Sequence, residues 1–348
     1  DDSETPDLTT LALLANASLR SGDSKQGEHY YQKALEQKPE ESGLIYGLGQ
    51  SYLMQGEHEK AIAEFAKIPE DSNQSLRAQL TIIETYMKAG RTDEALATIQ
   101  KLPNETQQTA IITSLKGTVY LMQKNLGSAQ SQFNKSLEIE PGYAPAHRQL
   151  ALLATQAGDS ATVIKHFEEA INANPKNSNL VIDYAGYQMQ QGELKKAESL
   201  LKQAKEIGTS KERIATMLAR LHLRQRNPSA ALTELNPFYE STNPEIQAEI
   251  GNTRMLMGDP QTALAAYEKV VAARSNSPLA HYLTYTALSS LNKTELARAA
   301  LQKTLALDGK YVPALLASAQ VAISEGKADE ATKWLTLVES VDASNYSA

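Results

Sequence analysis

The sequence predicts an all-α solenoid of about ten 34-residue helix-turn-helix repeats. Three observations predict it. Lys67-Ile68-Pro69-Glu70 returns as Lys101-Leu102-Pro103-Asn104, 34 residues later. A frame with starts at 8, 42, 76, 110, 144, 178, 212, 244, 278 and 312, and a single 32-residue step after 212, sorts residues by chemical type. Its fifteenth position is Gly in seven of ten repeats, far above what 18 Gly in 348 residues would place there by chance.

Within each repeat, apolar residues at positions 4, 7, 8 and 11 follow helical spacing and mark a first amphipathic helix. Position 15 ends it: Gly22, Gly56, Gly90, Gly158, Gly192, Gly258 and Gly326 suit the left-handed backbone of a helix stop, Asn292 is next best, and Lys124 and Arg226 are weaker stops. Apolar residues at 20, 24, 27 and 28 mark the second helix. Position 20 is Ala in eight repeats and position 8 is Gly or Ala in eight, so the paired helices can approach closely, and the large residue at position 24 fills the remaining space. Pro39, Pro141 and Pro175 close second helices. Pro69 and Pro103 come early, and are expected to shorten two second helices and lengthen the loops Glu70–Ser75 and Asn104–Thr109. Tyr239–Asn243 reads as a shortened connector that introduces a small kink or shift. Residues 1–7 and 346–348 are expected to be loose ends around repeats spanning 8–345.

Composition removes several function classes. There is no Cys, hence no disulfide framework and no thiolate zinc site. A net charge of −7 argues against a nucleic-acid coat. No apolar run reaches membrane-spanning length. Leu8–Leu19 follows acidic residues and fits the repeat frame, unlike a signal-peptide core. No two of the six His stand at zinc-ligand spacing, and no phosphate-binding glycine motif occurs. His147 and His281, both at position 4, read as packed residues, and His166-Phe167-Glu168-Glu169 as part of a solvated second-helix face. No enzyme activity, cofactor or metal is expected.

The pattern resembles the tetratricopeptide repeat family. The residues that carry the resemblance include Leu48-Gly49-Gln50-Ser51-Tyr52 with Ala61 and Phe65, and Gly117, Tyr120, Ala129, Phe133 and Pro141. It covers residues 8 to about 345. The Trp usual at position 4 is missing throughout; His147, Gln247 and His281 are among its replacements. The resemblance implies a right-handed superhelix with first helices lining a concave groove, and a non-catalytic scaffold that binds a protein or peptide there. Carried onto this sequence, the lining comprises Arg77, Lys88, Arg148, Met189, Arg213, Arg220, Arg224, Asn252, Met255 and Tyr282. Arg213, Arg220 and Arg224 share one helix face. They form either a basic stripe that attracts an acidic partner or internal pairs with Glu212, Glu245 or Glu249. Met87, Met122, Met189 and Met255 are either adaptable groove residues or core filler. Tyr52, Tyr86 and Tyr120 read as core.

The residue types of the heat-shock-chaperone clamp are missing from positions 5 and 9, which disfavours that adaptor class. Few aromatics stand at lining positions, which disfavours direct polysaccharide binding. The chain opens on Asp1, as expected of a processed or cut product. By resemblance to long envelope arrays, the expected setting is periplasmic or envelope-associated, in exopolysaccharide export or pilus assembly. The alternatives are a cytoplasmic adaptor or chaperone, or the recruiting module of a larger enzyme. Leu11 and Leu14 at one end, and Ala331, Leu335 and Val338 at the other, are expected to lie uncovered and to favour end-to-end self-association.

Overall fold

A computed structural model describes residues 6–341. Every regular element among the described residues is helical. Contacts divide the chain between Ala173 and Asn174 into two compact units. The first holds α1 (Leu8–Ser21), α2 (Ser24–Gln37), α3 (Ser42–Met54), α4 (His58–Phe65), α5 (Ser75–Lys88), α6 (Thr92–Lys101), the short α7 (Asn104–Gln107), α8 (Ala110–Met122), α9 (Leu126–Ile139), α10 (Ala144–Gln156) and α11 (Ser160–Ala173). The second holds α12 (Ser178–Gln190), α13 (Leu194–Ile207), α14 (Lys211–Arg224), α15 (Pro228–Leu235), α16 (Pro244–Leu256), α17 (Pro260–Ala273), α18 (Pro278–Ser290), α19 (Thr294–Leu307), α20 (Val312–Ser324) and α21 (Ala328–Val341). Within each unit, helices pair as hairpins and stack on the next pair. The expected loose ends 1–7 and 346–348 fall almost wholly outside the described residues.

The stop at position 15 is left-handed in all ten repeats. The seven glycines have φ between 72° and 86°, and Lys124, Arg226 and Asn292 adopt φ of 60°, 59° and 56°. The hydrogen bonds are the same with and without Gly. Gly56 N–H donates to Leu53 O at 3.0 Å and Glu57 N–H to Tyr52 O at 2.9 Å; Lys124 and Asn125 repeat the pair on Leu121 O and Tyr120 O, both at 2.9 Å. The carbonyls at the helix end are thereby satisfied. Lys124 and Arg226 are therefore full stops, imposed by the packing of the helices they join.

The small residue at position 8 has a specific cause. A Cβ on Gly49 would lie 2.5 Å from the Phe65 ring, on Gly117 2.7 Å from Phe133, and on Gly251 2.2 Å from Tyr267. Each is the position-24 ring of the same repeat. Where Leu replaces the ring, as in Leu201 and Leu235, position 8 carries Ala185 and Ala219, and all four side chains are fully buried.

Pro69 and Pro103 act as expected: α4 has 8 residues and α6 has 10, against 14 in α9 and α11. The Asn104–Thr109 segment departs from expectation by forming α7, a single helical turn. In the second unit α15 ends at Leu235, and Pro237 lies in a tight 3₁₀ turn over Asn236–Phe238.

Position 4 carries polar replacements for the missing Trp. His147 Nε2 meets Pro141 O at 2.8 Å, His281 Nε2 meets Ser275 O at 2.8 Å, and Gln247 Nε2 donates to Ser241 O at 2.7 Å. Each reaches the carbonyl six residues upstream and ties the start of a first helix to its preceding connector. Tyr52, Tyr86 and Tyr120 pack against core clusters as expected. At the ends, Leu11, Ala331 and Val338 are buried, contrary to expectation: Leu11 packs with α2 and the neighbouring repeat, and α21 packs on its partner helix α20. Leu14 and Leu335 are exposed.

Candidate functional site

In the second unit the first helices α12, α14 and α16 lie side by side, and α14 presents Arg213, Arg220 and Arg224. Each arginine is engaged by a neighbouring repeat. Arg213 Nη1 donates to Asn179 Oδ1 at 2.8 Å and its Nη2 pairs with Asp183, both on α12. Arg220 Nε donates to Glu249 Oε1 on α16 at 2.6 Å. Arg224 Nη1 donates to the Met189 carbonyl in the last turn of α12, where exposed carbonyls favour a cation. The stripe is thus a row of inter-repeat pairs. Arg213 and Arg220 still expose 44% and 47% of their side chains, while Asp183 and Glu249 expose only 14% and 10%. The positive end of each pair faces outward.

Of the three acids weighed as internal partners, only Glu249 takes an arginine of the stripe. Glu212 accepts from Ser241 Oγ at 2.7 Å and Asn243 Nδ2 at 2.8 Å. These bonds, Asn243 first, hold its carboxyl below the usual carboxylate range. Asn243 in turn caps α16 through Glu245 N–H at 3.0 Å. Glu245 lies 3.5 Å from Arg274.

The other expected lining residues divide. Met189 is buried at 4% exposure, so its side chain is core and only its carbonyl serves the row. Met255 packs partly buried against the Ala263–Tyr267 cluster. Asn252 Oδ1 accepts from Tyr267 Oη at 2.8 Å, so it braces its own repeat. Tyr282 forms an aromatic group with Tyr285 and Tyr311, at ring separations of 5.7 and 5.6 Å. Burial, then the neighbouring phenols, raises its hydroxyl pKa. In the first unit, Arg77 lies over the Tyr46 ring at 4.2 Å, and Lys88 and Arg148 are exposed. Met87 is half-buried in the core and Met122 exposed. Asp183 is the contact that helical periodicity missed. Its signal was an acidic residue 30 positions before Arg213, just short of one repeat.

Two profiles described as tetratricopeptide repeat match the chain, one over residues 18–80, 70–118 and 154–221, the other over 216–278. The chain belongs to the tetratricopeptide repeat family. No curated protein matches it in sequence. Among solved structures it is similar to yeast Tom70, at 17% identity and TM-score 0.55 over 97% of this chain and 85% of that one. It is similar to a human IFIT1 dimer with m7Gppp-AAAA, at 16% identity and TM-score 0.59 over 91% and 81%. It is also similar to a tetratricopeptide repeat protein of Parabacteroides merdae, at 17% identity and TM-score 0.50 over 71% and 98%. Identities this low speak to the fold alone. Tetratricopeptide arrays are protein-protein interaction scaffolds and typically carry no catalysis. No helix among the described residues is long and apolar enough to cross a membrane.

Proposed function

We propose that this chain is a non-catalytic scaffold that holds a protein partner against the α12, α14 and α16 face, in bacterial envelope assembly or secretion such as exopolysaccharide export or pilus biogenesis. The observation that carries the binding face is the half-exposed outer side of Arg213 and Arg220, held in place from behind by the mostly covered acids Asp183 and Glu249. Anchoring reduces the side-chain entropy a partner must freeze out. The partner presents carboxylates, which match the arginine fork. The net charge of −7 and the paired state of the arginines favour a protein over the nucleic-acid cap named with IFIT1. The cellular setting rests on family analogy; a cytosolic adaptor is the competing reading.

The test is photo-cross-linking in cells from the full-length protein. The photoreactive residue is placed at Glu245 or Asn252 on first helices, and at Glu268 or Lys303 on second helices. The proposal expects capture from the first pair, loss of capture when Arg213, Arg220 and Arg224 are changed to Glu, and envelope or secretion components among the products. Equal capture from the second-helix positions, or capture that survives the triple change, refutes the binding face. Cytosolic enzymes among the products would replace the envelope setting with the adaptor reading.

A further inference from the structure

The helix pair α10/α11 holds a side-chain cluster that scaffold function does not use. His147 on α10 exposes 2% of its side chain and His166 on α11 exposes 12%, although the sequence placed His166 on a solvated face. They are 19 residues apart, and the hairpin brings their Nδ1 atoms to 3.1 Å. Glu169, one turn along α11 from His166, puts Oε2 at 3.9 Å from His147 Nδ1 and 4.0 Å from His166 Nδ1. One ligand atom from each of the three residues lies within 4.8 Å of the others.

The protonation pattern follows from the hydrogen bonds. His147 Nε2 faces Pro141 O at 2.8 Å, and only an Nε2–H satisfies that carbonyl. That tautomer presents the lone pair of Nδ1 inward. His166 meets it with Nδ1–H as donor. A backbone carbonyl that fixes the tautomer and orientation of a histidine is the support that metal-binding histidines ordinarily have. The spacing is also right: metal–nitrogen bonds of about 2.0–2.1 Å at tetrahedral or octahedral angles separate two nitrogens by about 2.9–3.4 Å. The carboxylate oxygen must close by about 0.6 Å to join the same sphere, and Glu169, 47% exposed, is free to make that rotation.

We propose that His147 Nδ1, His166 Nδ1 and Glu169 Oε2 bind a zinc-class divalent transition-metal ion, with water completing the coordination. The ion lies to one side of the line between the two Nδ1 atoms, and the His166 ring turns to aim its Nδ1 lone pair at it. The proton that His166 Nδ1 gave to the imidazole pair is carried on its Nε2 instead. Two imidazoles and one carboxylate select zinc, cobalt, nickel or copper over magnesium and calcium, which prefer all-oxygen spheres. Glu169, the exposed member of the three, also lines a shallow depression on α11 with Ile164, Lys165 and Glu168. Lys165 Nζ, 4.0 Å from Glu169 Oε1, works against a cation and weakens the site. The bound ion bridges the first helix of the repeat to its second.

The full chain is titrated with zinc by calorimetry and with cobalt by visible absorption. The expected result is one saturable site per chain, a cobalt d–d band, and metal-dependent hydrogen-exchange protection confined to α10 and α11. His166→Gln, which removes a direct ligand, is expected to weaken binding by at least the roughly tenfold to hundredfold that losing an outer-shell support costs, Glu169→Gln by less, and Lys165→Gln to tighten it. His29→Gln with His222→Gln, both remote in sequence from the cluster, leaves it unchanged. Glu169→Gln alters an exposed side chain, so it reports on the site even if His166→Gln unfolds the hairpin. The proposal is overturned if no one-to-one binding occurs below about 1 mM. It is also overturned if Glu169→Gln and a folded His166→Gln bind as the parent does.

Discussion

Replacing Gly49 by Ala tests the packing rule on which the repeat pairs are built. Gly49 lies inside α3, and a Cβ there would stand 2.5 Å from the ring of Phe65, which is fully buried. In an unhindered helix interior the change stabilises by about 1 kcal/mol. Here the methyl must displace a ring locked between helices, and overpacking of this kind costs about 1–3 kcal/mol. The net expectation for Gly49→Ala is a loss of about 1 kcal/mol. Phe65→Leu alone removes ring contacts and costs about 1–2 kcal/mol. In that background the added methyl has room, and Gly49→Ala should reverse sign and stabilise by up to about 1 kcal/mol. The coupling between the two sites is then about 2 kcal/mol. Repeat arrays open locally, so the readout is hydrogen exchange of α3 and α4 peptides, where 1 kcal/mol is about a fivefold change in protection. A stabilising Gly49→Ala in the parent, or the same effect in both backgrounds, would refute the reasoning.

Two more predictions concern stability. Lys124→Gly and Arg226→Gly each relieve a left-handed side-chain residue, at φ 60° and 59°. That strain is worth about 1–2 kcal/mol, and the unfolded-chain entropy of Gly takes back about 0.4–1 kcal/mol. Each variant should raise the urea midpoint by an amount equivalent to roughly 0.5–1 kcal/mol; Gly326→Ala, changing the same slot in reverse, should lower it. Glu212 has its carboxyl pKa depressed, chiefly by Asn243 and Ser241. Its contribution is therefore present above the unfolded carboxylate value and is lost as pH falls through the folded one. Glu212→Gln should cost about 1 kcal/mol at pH 7, with the difference from the parent shrinking below about pH 4.5 in a series of denaturation curves.

What was legible and what was not separates along a physical line. Position 15 could be read from the Gly column because a left-handed stop is a property of one residue. The structure extends it to Lys124 and Arg226, where the turn is set by helix packing against the local cost. The small-large rule for positions 8 and 24 could be read as a need for space, since both residues sit in the same repeat. Contacts that depend on what the neighbouring helix presents were legible only in part: Glu249 stood among the acids weighed for the arginines and takes Arg220, whereas Asp183 did not. His147 and His166 looked unrelated at 19 residues apart, because zinc-spacing patterns are built from closely spaced ligand pairs, whereas a hairpin brings together single positions on either side of its turn. Likewise α7 forms where an open loop was expected, since the residues after Pro103 complete one helical turn that the repeat frame does not represent.

The arginine row shows what such a contact changes for function. Helical spacing correctly put Arg213, Arg220 and Arg224 on one face, but their acids lie on α12 and α16. An unpaired stripe would bind by net charge, and Lys would serve as well as Arg. In the paired row, Arg220 spends Nε on Glu249, and the proposed partner would be met by the donors of its two terminal nitrogens. A lysine can keep the ion pair or meet a partner carboxylate, but it has no second, rigidly placed set of donors. Arg220→Lys should therefore leave stability within about 0.5 kcal/mol of the parent while weakening partner capture by about tenfold, the loss of one bidentate charged contact. Arg220→Ala leaves the Glu249 carboxylate, 10% exposed, without its cation and should cost about 1–3 kcal/mol in stability. Capture measured on folded protein across this series separates the two functions of the side chain. If Arg220→Lys captures the partner as well as the parent does, the face binds by charge alone and the anchored fork has no part in recognition.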